Sequence, residues 1–215
     1  MKRVILCAVL MSGFSVSAQQ VTVSVVDVSG KAIVGAVVEM VAPQLNAYSP
    51  IPKTYVVSQY DKAFTPYILA VPQGADVVFK NEDSISHHLY SLSDVAAFSF
   101  RLKAGERKED IEFEQAGAVS MGCNIHDWMS GYIRVVTSPV FAQTDKNGEV
   151  TLAVPDGVDQ ADITAWHPQL QESLTVSWAT EPAVRLQATM EMLPIPTQES
   201  SSDIYFERAM RAGGY

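Results

Sequence analysis

The 215-residue chain has only two cysteines, Cys7 and Cys123. That excludes a small scaffold stapled by disulfides, which needs cysteine at high density. Positive charge is also scarce: 15 Lys and Arg stand against 24 Asp and Glu, for a formal net charge of -9. Nucleic acid and anionic lipid are both bound by neutralising phosphates with Lys and Arg, so this chain suits neither. Beyond the N-terminus no apolar run approaches the roughly 20 residues of a membrane helix. No convincing amphipathic helical repeat precedes the tail. What is abundant is apolar side chain: 47% of residues are hydrophobic and 18% charged, enough for a real core and too much for global disorder.

Residues 1–18 read as a removable export signal. Lys2 and Arg3 form a positive start, Val4 to Phe14 are mostly apolar, and Val16-Ser17-Ala18 is a small-residue cleavage pattern. The expected cut lies between Ala18 and Gln19 and takes the formal charge from -9 to -11, because Lys2 and Arg3 leave with it. The mature chain is then expected to be periplasmic or otherwise exported, with no membrane span. Cys7 lies inside the apolar run rather than at its end, which argues against a lipid anchor. Export also leaves Cys123 as the single thiol in an oxidising compartment. Such a thiol calls for an intermolecular bridge, a reactive role or a bound metal.

Period-2 alternation dominates the rest. Val21, Val23 and Val25 alternate with Thr22 and Ser24; Phe98, Phe100 and Leu102 alternate with Ser99 and Arg101. Val77 with Phe79, Val119 with Met121 and Cys123, Val150 with Leu152 and Val154, Leu174 with Val176 and Trp178, and Val184 through Met190 follow the same rule. Turn residues punctuate the gaps, as in Pro72-Gln73-Gly74 and Asp145-Lys146-Asn147-Gly148. The expectation is an all-β sandwich protein. From Leu193 onward Pro, Ser and Gly suggest a loose tail, with a short helix over 203–211.

Chemistry concentrates in Cys123-Asn124-Ile125-His126-Asp127-Trp128-Met129, a Cys-x2-His-x2-Met loop between two strands. A tight loop pinned by a strand at each end can aim a thiolate, an imidazole and a thioether at one point. Ser86-His87-His88-Leu89-Tyr90 offers a second imidazole at the start of another strand. Strand period sends His87 and His88 to opposite faces, so only one of them can join the set without a bulge. Two His, one Cys and a weak Met suit copper: sulfur ligands favour Cu(I), and imidazole suits both oxidation states. Zinc takes Cys and His but rarely Met. The plain alternative is a buried structural Cys beside a satisfied core His.

Residues 54–137 resemble a cupredoxin, the blue-copper fold of plastocyanin, azurin and amicyanin. The stretches that carry the resemblance are Phe64-Thr65-Pro66, the turn Pro72-Gln73-Gly74-Ala75-Asp76, and Val78-Phe79-Lys80-Asn81-Glu82-Asp83 leading to the His. Phe113-Glu114-Gln115-Ala116-Gly117 then leads to the Cys strand. The short ligand loop followed by Gly131-Tyr132-Ile133-Arg134-Val135-Val136 is most similar to amicyanin. The whole chain is similar to plastocyanin-like proteins labelled as methylamine-utilisation proteins. The resemblance implies a Greek-key β-sandwich and one type 1 copper held by His87, Cys123, His126 and Met129. Its register favours His87 over His88. Where the family often has Asn after the first His this chain has His88, and where amicyanin brackets the second His with Pro it has Ile125 and Asp127.

The remainder resembles a carboxypeptidase-regulatory-like (transthyretin-like, Ig-like) β-sandwich split in two. Val21 to Val41 looks like its opening half, and Phe141 to Gly157 like the start of its second half. The expected organisation is signal 1–18, regulatory-like parts 19–50 and 139–192, cupredoxin 51–138 and tail 193–215. His167, in Trp166-His167-Pro168, has no second donor near it in sequence and reads as a packing residue. The function implied is a one-electron carrier that meets a redox partner protein and is not an enzyme. The alternatives are a copper-delivery or storage protein without redox turnover, a binding module with a vestigial site, and a Cys-His hydrolase.

Overall fold

The computed structural model describes residues 19–48 and 53–195; the expected export signal and the 203–211 helix lie outside them. Regular structure within that range is sixteen strands and one 3-10 turn, Pro43–Ala47. The chain opens with β1 (Gln19–Val26) and β2 (Val37–Val41). Nine strands follow: β3 (Tyr55–Tyr60), β4 (Ala63–Thr65), β5 (Ile68–Pro72), β6 (Ala75–Asn81), β7 (His87–Ser93), β8 (Ala96–Leu102), β9 (Arg107–Phe113), β10 (Gly117–Cys123) and β11 (Ser130–Val136). The chain closes with β12 (Phe141–Gln143), β13 (Glu149–Val154), β14 (Ala161–Trp166), β15 (Leu174–Trp178) and β16 (Ala183–Gln187).

The strands form four sheets. Two, ordered β13-β1-β16 and β12-β2-β14-β15, draw on both ends of the chain. Alternation explains their packing: Val21, Val23 and Val25 of β1 and Ile163 and Ala165 of β14 are fully buried in one core with Trp178 and Leu186. The other two, β5-β11-β10-β7-β8 and β4-β3-β6-β9, use only the middle of the chain. Their shared core holds Val57, Val77, Phe79, Leu89, Phe113, Val119, Ile133 and Val135, all fully buried. The chain thus leaves the first sandwich after β2, builds the second, and returns at β12. The alternation read over Val184 to Met190 is cut short: β16 ends at Gln187, although Ala188 stays buried and its N–H still bonds Val26 O at 2.8 Å.

A third cluster seals the seam between the sandwiches. Val37 of β2 meets Ile68, Ala70 and Val136 of the second body, flanked by Tyr67, Tyr132, Phe141 and Trp166. Polar links accompany it. Gln143 Nε2 donates to Ile68 O at 3.1 Å, and Arg134 pairs with the buried Glu39 at 3.6 Å while lying over the Trp166 ring. Glu39 also accepts the N–H of Thr137 at 3.3 Å, so one buried carboxylate is partnered from several sides, as burial of a charge requires. Crowding pushes the Tyr67 phenol up to about 12, through burial and the neighbouring Tyr132.

Turn chemistry sets the edges of the first sandwich. Asp145 Oδ1 accepts the N–H groups of Asn147 and Glu149, and Gly148 follows with φ 74°. A Cβ there would sit 2.6 Å from Val25 O, so this turn admits only glycine.

His167 is buried at 4% exposure and bonds no metal-type partner; its Nδ1 accepts the N–H of Gln169 at 3.3 Å. Burial lowers its pKa to about 4 from an ordinary 6.5. The unfolded chain binds this proton more readily than the folded one, so stability is complete above pH 6.5 and falls as pH drops toward about 4. That gap corresponds to at most about 3 kcal/mol. Denaturant titrations across this range should show the loss, and His167→Gln should flatten the part of the pH profile that His167 supplies.

Candidate metal centre

The centre is built at one end of the second sandwich, where β7 begins and β10 ends. These strands are antiparallel neighbours, with Cys123 opposite Leu89. His87 is the first residue of β7 and is fully buried; Cys123 is the last of β10, a free cysteine at 4% exposure. Strand pairing alone thus delivers one imidazole and one sulfur to the same edge of the core. The loop that follows folds back tightly. Met129 N–H donates to His126 O at 3.0 Å, and Cys123 N–H donates to Met129 O at 3.3 Å. This tight closure swings His126 over the sulfur.

His87 Nδ1 lies 3.7 Å from Cys123 Sγ, and His126 Nδ1 lies 3.8 Å from it. The two imidazoles are 5.1 Å apart by centroid, tilted by 54°. All three donor atoms fall within 4.8 Å of one another, and this is the one such His, Cys and carboxylate group among the described residues. Met129 is buried at 3% exposure in the same core cluster as Cys123. The sequence-expected residues therefore meet as follows: His87, Cys123 and His126 converge as a triad, and Met129 lies in the adjoining core.

His88 is not brought to this group. Its Nε2 meets Ser99 Oγ at 3.0 Å and its Nδ1 faces Asn124 Nδ2 at 3.5 Å, on the outer side of the sheet. The strand period decides the matter, since neighbours on β7 point to opposite faces. The brace that links this face to the ligand loop is a backbone bond: Asn124 N–H donates to His88 O at 2.9 Å.

One contributor went unnoticed in the sequence. Asp83 Oδ2 accepts the Nε2–H of His87 at 2.7 Å, which places the proton on Nε2 and leaves the Nδ1 lone pair facing Cys123. A carboxylate behind a histidine fixes ring orientation and strengthens the ring as a ligand. Burial pushes the Asp83 carboxyl up, but the Lys62 N–H, the His87 ring and the Asp61 N–H outweigh it and hold the group below its usual range. Asn81 completes the support: its Oδ1 accepts Asp83 N–H at 3.0 Å while its Nδ2 donates to Ile85 O and Leu102 O. The available signal was the spacing, an acid four residues before a histidine across a short bend.

His126 is partly buried and lies at the rim. Burial above all lowers its pKa, which favours the neutral ring that can ligate. Trp128 packs against it with ring centroids 5.2 Å apart, so this aromatic covers one side of the ligand rather than merely filling the core. Ile125 is 47% exposed beside it.

Comparison with known proteins finds partial likenesses. A purple cupredoxin from Nitrosopumilus maritimus is 24% identical, with 38% of this chain and 99% of that one covered at a TM-score of 0.34. A Cu-containing nitrite reductase from Thermus scotoductus SA-01 is 30% identical, with 46% of this chain and 25% of that one covered at 0.37. An amicyanin variant in its Cu(I) form is 22% identical, with 39% and 82% covered at 0.36. Cupredoxins thus stand among the structural neighbours. No family model matches the chain, and no curated protein matches it.

Titration of the purified chain with Cu(II) and Co(II) separates the two histidines. His87→Ala should weaken binding by more than the roughly 100-fold that loss of an outer partner can cost, whereas His88→Ala should leave the binding isotherm unchanged.

Proposed function

We propose that the protein is an exported type 1 copper protein that carries single electrons between partner proteins. The observation that supports this best is the triad of His87, Cys123 and His126, whose donor atoms lie within 4.8 Å of one another around a free, buried sulfur. The residues fit that ion: a soft thiolate with two imidazoles suits copper, so His87, Cys123 and His126 would hold it, with Met129 in the adjoining core as a further weak donor. When bound, copper would supply a one-electron couple between Cu(I) and Cu(II).

The remaining work belongs to the chain. His87, held from behind by Asp83, presents Nδ1 in one fixed direction. Cys123, at a strand end inside the core, cannot swing out toward another thiol. Leu89, fully buried and opposite Cys123 on the neighbouring strand, keeps water from the inner side of the sulfur. A site that holds its donors this firmly relaxes little between two charge states, which is what a carrier needs. His126 at the partly open rim is the route by which an electron would leave, past Ile125 and Trp128. No helix among the described residues is long and apolar enough to cross a membrane. With the signal-like residues 1–18, that agrees with a periplasmic carrier.

Loading with Cu(II) should give an intense visible band from the thiolate, a reversible voltammetric couple, and an EPR spectrum that Cys123→Ser abolishes along with the band. A colourless protein would sink this reading. A coloured protein with an irreversible couple would favour copper storage instead.

A further inference from the structure

The hairpin between β3 and β4 has only two turn residues. Tyr60 lies opposite Ala63, leaving Asp61 and Lys62 with φ 50° and 54°. A two-residue hairpin asks for left-handed backbone at both places, for which Asn-Gly is the preferred pair. Here the second position carries a lysine, and a residue with a long side chain holds that conformation only where its surroundings over-determine it.

The surroundings are two segments far apart in sequence. From one side, the Asp83 carboxylate accepts the N–H of Asp61 at 2.7 Å and the N–H of Lys62 at 3.0 Å. From the other, the Trp128 indole N–H donates to Lys62 O at 3.2 Å. Each of these side chains also attends one ligand: Asp83 Oδ2 holds His87 Nε2 at 2.7 Å, and the Trp128 ring rests 5.2 Å from that of His126. The turn is therefore the shared anchor of the two histidine-bearing segments, and none of these bonds uses the Nδ1 atoms or the sulfur that face one another in the triad.

We propose that the Asp61-Lys62 turn is a strut that sets the spacing of His87 and His126 before metal arrives, with Asp83 and Trp128 as positioning residues acting through it. This rests on the reading of the triad as a copper site. Asp83 fixes the turn and the first ring together. Trp128 ties the Cys-x2-His-x2-Met loop to the same turn, so the loop is held in its ligand-bearing shape by a bond outside itself. Loss of either grip frees the turn to relax toward commoner backbone, and the other segment loses its anchor as well.

Asp83→Asn, Trp128→Phe and the double variant of the full chain test this. Trp128→Phe keeps an aromatic side chain beside His126 and removes the N–H together with some ring volume. In the apoprotein, hydrogen exchange followed by NMR should show the Asp61 and Lys62 amides exchanging faster in Trp128→Phe, and the Trp128 indole N–H exchanging faster in Asp83→Asn. In the Cu(II)-loaded protein, each single variant should release copper to a chelator roughly tenfold faster, within the range that outer partners of a metal site control. The double variant should lose little more than the worse single, because both grips serve one turn. Unchanged exchange in the reciprocal positions, or copper-loss factors that multiply, would overturn the strut. A wild-type chain that takes up no copper would instead overturn the metal reading, and the exchange experiment, which needs no ion, would still decide whether the strut exists.

Discussion

The hydrogen bond from His87 Nε2–H to the Asp83 carboxylate decides which ring nitrogen is left over. A neutral imidazole has one donor and one acceptor nitrogen, and the tautomer follows from whichever partner claims the proton. With Asp83 at 2.7 Å the proton is claimed on the outer side, and Nδ1 is left 3.7 Å from the Cys123 sulfur. Around that one assignment the rest of the centre is arranged. Asn81 holds the bend that carries Asp83, β7 fixes the His87 backbone, and β10 brings the sulfur alongside.

The scaffold makes this arrangement stiff. His87 and Cys123 sit on strand ends, His126 on the short loop between β10 and β11, and the fully buried Leu89 lies opposite Cys123. Even the glycines of the neighbouring strands are filled against: a Cβ on Gly122 would fall 2.8 Å from the Tyr90 ring, and one on Gly131 would fall 2.9 Å from Phe64. Interiors packed at this density transmit displacement rather than absorb it. Geometry set at the rim is thus shared with the sheets beneath.

Much of this was legible in the residues. Strand alternation in Val21 to Val25, Phe98 to Leu102 and Val119 to Cys123 foretold the all-β architecture, because a side-chain period of two is a local property. The Cys-x2-His-x2-Met loop was legible because its donors are close in sequence. The choice of His87 over His88 needed only the strand period and a register. What stayed hidden is mostly non-local. Asp83 is the local exception: Asn81-Glu82-Asp83 looks like an ordinary turn, and only the four-residue spacing to His87 marks the acid that reaches an imidazole. The role of Trp128 is hidden in sequence because its N–H partner is Lys62 O, 66 residues away. The Glu39 to Arg134 pair across the seam is hidden likewise, since each looks like a solvated charge in its own strand.

The interrupted path of the chain has a consequence for the order of assembly. Strands β3 to β11 pair only among themselves, so their nine-strand unit can close on its own contacts. The outer sheets must wait, because β1 pairs with β13 and β16 across more than a hundred residues. Once the middle has collapsed, Tyr55 and Val136 belong to one compact object, and the cost of bringing β2 to β12 falls to that of a far shorter closure. Nascent chains would therefore complete the body that carries the His-Cys-His group while the first sandwich is still two loose ends.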